Sequence, residues 1–172
     1  ELYCKMLEEA VDKARGIEEI PEAEETAFNL PIPAILSERY IENEMLRLQM
    51  YKKIAMITSD EDESEIIDEL LDRFGDIPKA TMNLIKISKI RAMAGKLGIS
   101  EISQQGYKII FKLLENVKLT ERIMAGLIST YGGRMMINGG REPYIRLTIG
   151  KDDLLQAIEK FLQIAVGERK PN

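Results

Sequence analysis

Leu2, Met6, Ala10 and Ala14 recur at helical spacing, with Leu7 and Val11 beside them and Gly16 as a stop, so the chain opens on a predicted amphipathic helix. An acidic connector from Glu18 to Glu25 holds Pro21, and Thr26 to Leu30 reads as a short strand closed by Leu30-Pro31-Ile32-Pro33. Prolines two residues apart keep that stretch extended, because each fixes its own φ and pushes its predecessor out of the helical region. Ser37 is the predicted cap of a helix reaching about Ile57 through Tyr40, Ile41, Met45, Leu48 and Tyr51. Another begins near Asp60 and ends at Phe74, with Gly75 as its terminator and Pro78 just beyond. A further helix spans about Lys79 to Leu97, with Ile87, Ile90, Ala94 and Leu97 on one face.

After Gly98 the period shortens. Ile99 to Gln104 and Tyr107 to Leu113 read as strands around Gly106, and Thr120 caps a helix to Tyr131, where Gly132-Gly133 ends it. Arg134 to Ile137 and Tyr144 to Ile149 flank Asn138-Gly139-Gly140, a hairpin signal because such turns need positive φ. A last helix is expected over Asp152 to Val166. The fold class that follows is α+β: about four helices, then a small mixed or antiparallel sheet flanked by two more. We read residues 1–172 as a single domain, helical over 1–98 and α+β over 99–172, with no internal repeat.

The 172 residues, 45% hydrophobic, suffice for one core and are marginal for two. A formal charge of −5 is the wrong sign for a general phosphate-binding surface, since nonspecific DNA affinity comes from Lys and Arg displacing counterions. One cysteine, Cys4, cannot form an internal disulfide, which fits a cytoplasmic chain. No apolar run approaches membrane-spanning length, so no membrane partner is expected. The opening Glu1-Leu2-Tyr3-Cys4 lies already inside an amphipathic pattern and has no initiator Met, as expected of a segment of a longer polypeptide.

The composition also narrows the chemistry. Without histidine there is no Ser-His or Cys-His pair and no His-ligated metal, and one Cys makes no structural zinc site. Neither a Gly-Lys-Ser/Thr phosphate loop nor a Gly-x-Gly-x-x-Gly turn occurs, so no catalytic, cofactor or metal residue is expected here. The acidic run from Asp60 fails as a calcium loop, with Glu65 where glycine is needed and Leu71 where a bidentate Glu is needed. Those acids instead complement a helix N-terminus. Lys86, Lys89 and Lys96 share one side of their helix and read as a solvated face; Met135, Met136 and the tyrosines read as core, and Cys4 as inert packing.

One face is not explained by helix stability. Ile67, Leu70, Leu71 and Phe74 form the expected inward stripe of the helix over 60–74, while Glu69, Asp72 and Arg73 project together from the outward face. Glu69 and Arg73 make a favourable i,i+4 pair. Asp72 sits in the last turn, where the dipole disfavours a carboxylate, so the residues by themselves leave two readings of equal weight, a docking face for a cationic partner and a plain solvated face.

Glu69-Leu70-Leu71-Asp72-Arg73-Phe74-Gly75 followed by Pro78 resembles the Glu-Leu-x-Asp-Arg-Phe-Gly-x-x-Pro signature of the C-terminal domain of bacterial transcription-repair coupling factors, the Mfd family. Glu1-Leu2-Tyr3-Cys4, Leu7 to Val11, Tyr40-Ile41, Arg47-Leu48, Tyr51-Lys52, Asn83-Leu84 and Lys96 to Ile99 agree in order. The specific match covers roughly the first 100 residues; Ser37, where the family often has proline, departs from it. The resemblance implies a parent that is a superfamily-2, DNA-dependent ATPase using ATP and Mg in an upstream motor. Such a parent displaces stalled RNA polymerase from duplex DNA and recruits nucleotide excision repair through UvrA. It implies that the C-terminal domain clamps the N-terminal UvrB-like module, masks the UvrA-binding surface by competition and restrains the motor. The family's clamp residues fall on Glu69, Asp72 and Arg73.

Three rival readings are a nucleic-acid-binding module using Lys86, Lys89, Lys96, Arg134, Arg141 and Arg146, a small carboxylate enzyme, and a purely structural domain.

Overall fold

A computed structural model describes residues 26–115, 117 and 119–167. The helix expected over the first residues, the acidic connector and Cys4 lie outside the described residues. The described chain divides into two compact units, Ile32–Ala92 and residues 93–167, the latter joined by residues 26–31. The α+β class holds, with a five-stranded mixed sheet.

In the first unit, α1 (Glu44–Ala55), α2 (Asp60–Phe74) and most of α3 (Lys79–Lys96) enclose Leu36, Ile41, Met50, Ile54, Ile57, Ile66, Leu70, Leu84 and Ile85. The Pro-rich segment before α1 stays extended and is tied to α3 by Ile35 N–H donating to the Ala80 carbonyl at 3.1 Å and Thr81 Oγ1 donating to the Ile35 carbonyl at 3.0 Å. Ser37 does not cap the helix after it. It closes one turn through Tyr40 N–H at 3.3 Å, and the cap is Asn43, whose side chain accepts from Leu46 N–H at 3.0 Å. The intervening residues unwind because Ile41 must enter the core, where it is 1% exposed, and its carbonyl is then met by Arg47 Nη1 at 2.9 Å.

The inward stripe of α2 is also rotated from expectation. Ile66 and Leu70 are buried and Ile67 and Phe74 partly so, but Leu71 is 45% exposed. One residue turns a helix by about 100°, so Leu71 lies about 120° from the centre of a face set by Ile66 and Leu70, outside it.

The second unit holds β1 (Ala27–Asn29), β2 (Ile99–Gln105), β3 (Lys108–Leu113), α4 (Glu121–Tyr131), β4 (Met135–Asn138), β5 (Tyr144–Thr148) and α5 (Leu154–Val166). Strand order is β1-β2-β3-β5-β4, with β1 parallel to β2 and the other pairs antiparallel. Thr120 caps α4 as expected; Asp153, rather than an earlier residue, caps α5 by accepting from Gln156 N–H at 3.0 Å. The hairpin expected around Asn138-Gly139-Gly140 is present, with Asn138 opposite Tyr144 and Gly140 at φ 110°. From β2 onward the order hairpin–helix occurs twice, a structural repeat that the sequence does not display. Alternation along β3 and β5 sends Ile109, Phe111, Ile145 and Leu147 to one face, where Phe111 stacks on Phe161 of α5 at 4.1 Å and Tyr131 of α4 lies 5.8 Å from the same ring. Met136 and Tyr107 depart from the core reading at 40% and 67% exposed, because β4 is an edge strand and Tyr107 sits in the β2–β3 turn. Among the described residues no helix is long and apolar enough to cross a membrane.

Candidate functional site

The start of α2 is fixed by reciprocal capping: Ser59 Oγ accepts from Asp62 N–H at 3.1 Å, and the Asp62 carboxylate accepts from Thr58 N–H and Thr58 Oγ1–H, both at 3.1 Å. Those donors, the Thr58 backbone first, hold the Asp62 carboxyl below its ordinary value. Its end is fixed by Gly75 at φ 82°, whose N–H donates to the Leu71 carbonyl at 3.2 Å. Tyr40 Oη–H donates to the Gly75 carbonyl at 2.9 Å and lies 3.2 Å from the Leu70 carbonyl, while its ring meets Phe74 edge-on at 6.0 Å. The Phe-Gly part of the signature therefore anchors the C-terminal turn of α2, and burial, with Asp76 adding to it, raises the Tyr40 hydroxyl above its ordinary pKa.

That anchored turn presents Glu69, Asp72 and Arg73. Glu69 is held internally: Lys53 Nζ of α1 donates to its Oε1 at 2.6 Å and Oε2 at 3.0 Å, and Arg73 Nη1 donates to Oε2 at 3.2 Å. The Lys53 bond, ahead of Arg73, draws the Glu69 carboxyl below the usual glutamate range. The Arg73 guanidinium also lies 5.0 Å from the Phe74 ring centroid and approaches Met50 Sδ at 3.9 Å. Asp72 is exposed and makes no hydrogen bond or ion pair among the described residues. It borders a shallow depression with Asp68, Glu69 and the exposed Leu71. Sequence reasoning brought Glu69 and Arg73 together correctly but missed Lys53, which lies 16 residues away on another helix and shares no helical spacing with them.

The three lysines of α3 do not form one solvated face. Lys89 is 5% exposed and pairs with Asp60 and, at 3.7 Å, with Glu63, so part of the acidic run at the start of α2 neutralises a buried cation. Lys86 is partly buried and Lys96 exposed. Among the described residues no three His, Cys, Asp or Glu side chains gather as a metal site.

The TRCF domain family model matches residues 30–123. The chain is 35% identical over 166 residues, 94% of its length, to the transcription-repair-coupling factor of Staphylococcus haemolyticus (strain JCSC1435), and 35% identical over 173 residues, 98% of its length, to that of Staphylococcus aureus (strain USA300). It spans 14% and 15% of those proteins. The crystal structure of a C-terminal domain of transcription-repair coupling factor superposes with a TM-score of 0.68 at 21% identity, covering 83% of this chain and 92% of that one, and so shares the fold. The similarity runs well past Gly98, where the sequence motifs end.

Proposed function

Since this chain belongs to the TRCF domain family, as the C-terminal domain of transcription-repair coupling factors, we propose that it is a non-catalytic autoregulatory domain acting through the end of α2. In this reading all 172 residues serve one regulatory role in a cytoplasmic, DNA-translocating ATPase whose ATP and Mg site, polymerase contact and DNA grip lie in other modules. The domain docks on the N-terminal UvrB-like module, covers the UvrA-binding surface and restrains the motor until released.

The observation that carries the proposal is the division of labour among Glu69, Asp72 and Arg73. Glu69 is satisfied by two cations, so it sets the spacing of α1 and α2 and fixes Arg73. Asp72 is the carboxylate left over, at the position in the helix where its own dipole disfavours it. An arginine of the N-terminal module completes it with a charge-assisted, bidentate pair. Arg73, 38% exposed at its side chain, turns its remaining donors to an acid of the same partner. A polar contact of this kind is releasable, as a switch requires.

The test compares the full-length parent with its Asp72→Ala/Arg73→Ala variant. A rise in both DNA-independent ATPase rate and UvrA binding, with the domain still folded by circular dichroism, supports the latch. Unchanged values for both sink it and leave the face as solvated surface.

A further inference from the structure

The five-stranded sheet has two faces, and only one is accounted for by the packing of Phe111 against Phe161. On the other, cross-strand register places Ser103, Ile110, Arg146 and Met136 in one row and Glu101, Lys112, Tyr144 and Asn138 in the next. Over these rows the β4–β5 loop closes a groove of about 870 Å³, within the size range of ligand sites, lined among others by Ile110, Lys112, Tyr144, Arg146 and, from the loop, Arg141.

Arg146, half-buried on β5, lines this groove. Its guanidinium makes one hydrogen bond, to Met136 Sδ at 3.2 Å, and no ion pair among the described residues. A thioether is a weak acceptor, and a guanidinium has five donors, so Arg146 is left short of an anion. Arg141 likewise has no ion pair among the described residues, while Lys112 is shared with Glu101 at 3.5 Å. Charge along the chain agrees: residues 93–172 hold 12 Lys and Arg against 8 Asp and Glu, whereas residues 1–92 hold 12 against 21. The −5 of the whole chain thus hides a second part of the opposite sign.

Two kinds of anion could meet these arginines, and the lining separates them. Glu115 and Glu142 also border the groove, and neither has an ion pair among the described residues. They repel a continuous phosphate backbone but tolerate a chain that brings one or two isolated charges. Ile110 and Tyr144 beside Arg146 offer apolar contact to the residues that flank such a charge. From this mosaic we infer that the outer sheet face binds an extended acidic peptide, one carboxylate seated on Arg146, a second within reach of Arg141, and apolar neighbours on Ile110 and Tyr144. This site is independent of the Asp72 face on α2.

The experiment is fluorescence anisotropy of a fluorescein-labelled peptide alternating glutamate with isoleucine, titrated with the 172-residue chain. Arg146→Met and, in the exposed loop, Arg141→Gln are compared with Lys160→Gln on α5. Saturable binding is expected, weakened about tenfold by either arginine substitution and by glutamine in place of glutamate in the peptide, and unchanged by Lys160→Gln. If Arg146→Met lowers thermal stability, Arg141→Gln alone carries the comparison. Absent binding, binding indifferent to both arginines, or displacement of the peptide by an oligothymidylate that binds more tightly each overturns the proposal.

Discussion

The Lys53 ammonium clasps both carboxylate oxygens of Glu69, at 2.6 and 3.0 Å, joining α1 to the end of α2 across 16 residues of sequence. The glutamate of the family signature is therefore held inside the domain, while Asp72, three residues on, makes no ion pair among the described residues.

Removing the clasp has two readable effects. Lys53 is 49% exposed at its side chain, so Lys53→Met is expected to cost only about 0.5 kcal/mol at neutral pH. The pH dependence is more diagnostic. Glu69 has a lowered folded pKa, so its contribution is complete above the ordinary glutamate value of 4.5 and is lost as pH falls through the lowered value. Below 4.5 the unfolded chain takes up a proton that the folded chain refuses, and stability falls. Lys53→Met should flatten that fall. Urea midpoints at pH 7 and about pH 3 test this, and parallel curves for the two proteins would show that Lys53 does not hold Glu69 in solution.

Lys89 makes the opposite case, a buried cation whose loss strands an acid. Glu63 is 14% exposed at its side chain, and its Oε2 has no hydrogen-bond partner. Lys89→Met should destabilise the chain by about 3 kcal/mol, and Lys89→Met/Glu63→Leu should recover most of that, because an apolar pair replaces a broken ionic one. If Lys89 instead served nucleic acid, the single substitution would leave the melting temperature unchanged and weaken salt-sensitive DNA binding.

Two glycines separate backbone strain from lack of space. Gly75 and Gly98 have φ of +82° and +71°, but only at Gly98 does an added Cβ run into the Val117 side chain. Gly75→Ala should therefore cost about 2 kcal/mol, from its backbone alone, since φ 82° with ψ −158° is a region open essentially to glycine, and Gly98→Ala about 3 kcal/mol. Val117→Ala in the Gly98→Ala background should return part of the difference; thermal melts of the three variants decide it.

The sequence by itself determined the order of the described elements, the α+β class, the helix from near Asp60 to Phe74, and the family, because those rest on local periodicity, caps and a contiguous motif. It also determined the Glu69–Arg73 pair, whose partners share one helix. Tertiary structure decided what lies between elements. Ser37 lost its helix to the demand that Ile41 be buried, Leu71 was turned outward by the packing of Ile66 and Leu70, and Lys89 was drawn from a solvated face into the acids of α2. Lys53 on Glu69, the hairpin–helix repeat and the row that leaves Arg146 without an anion are set by strand register and helix pairing. Those are long-range choices, fixed by which surfaces bury together, and no periodicity along the chain encodes them.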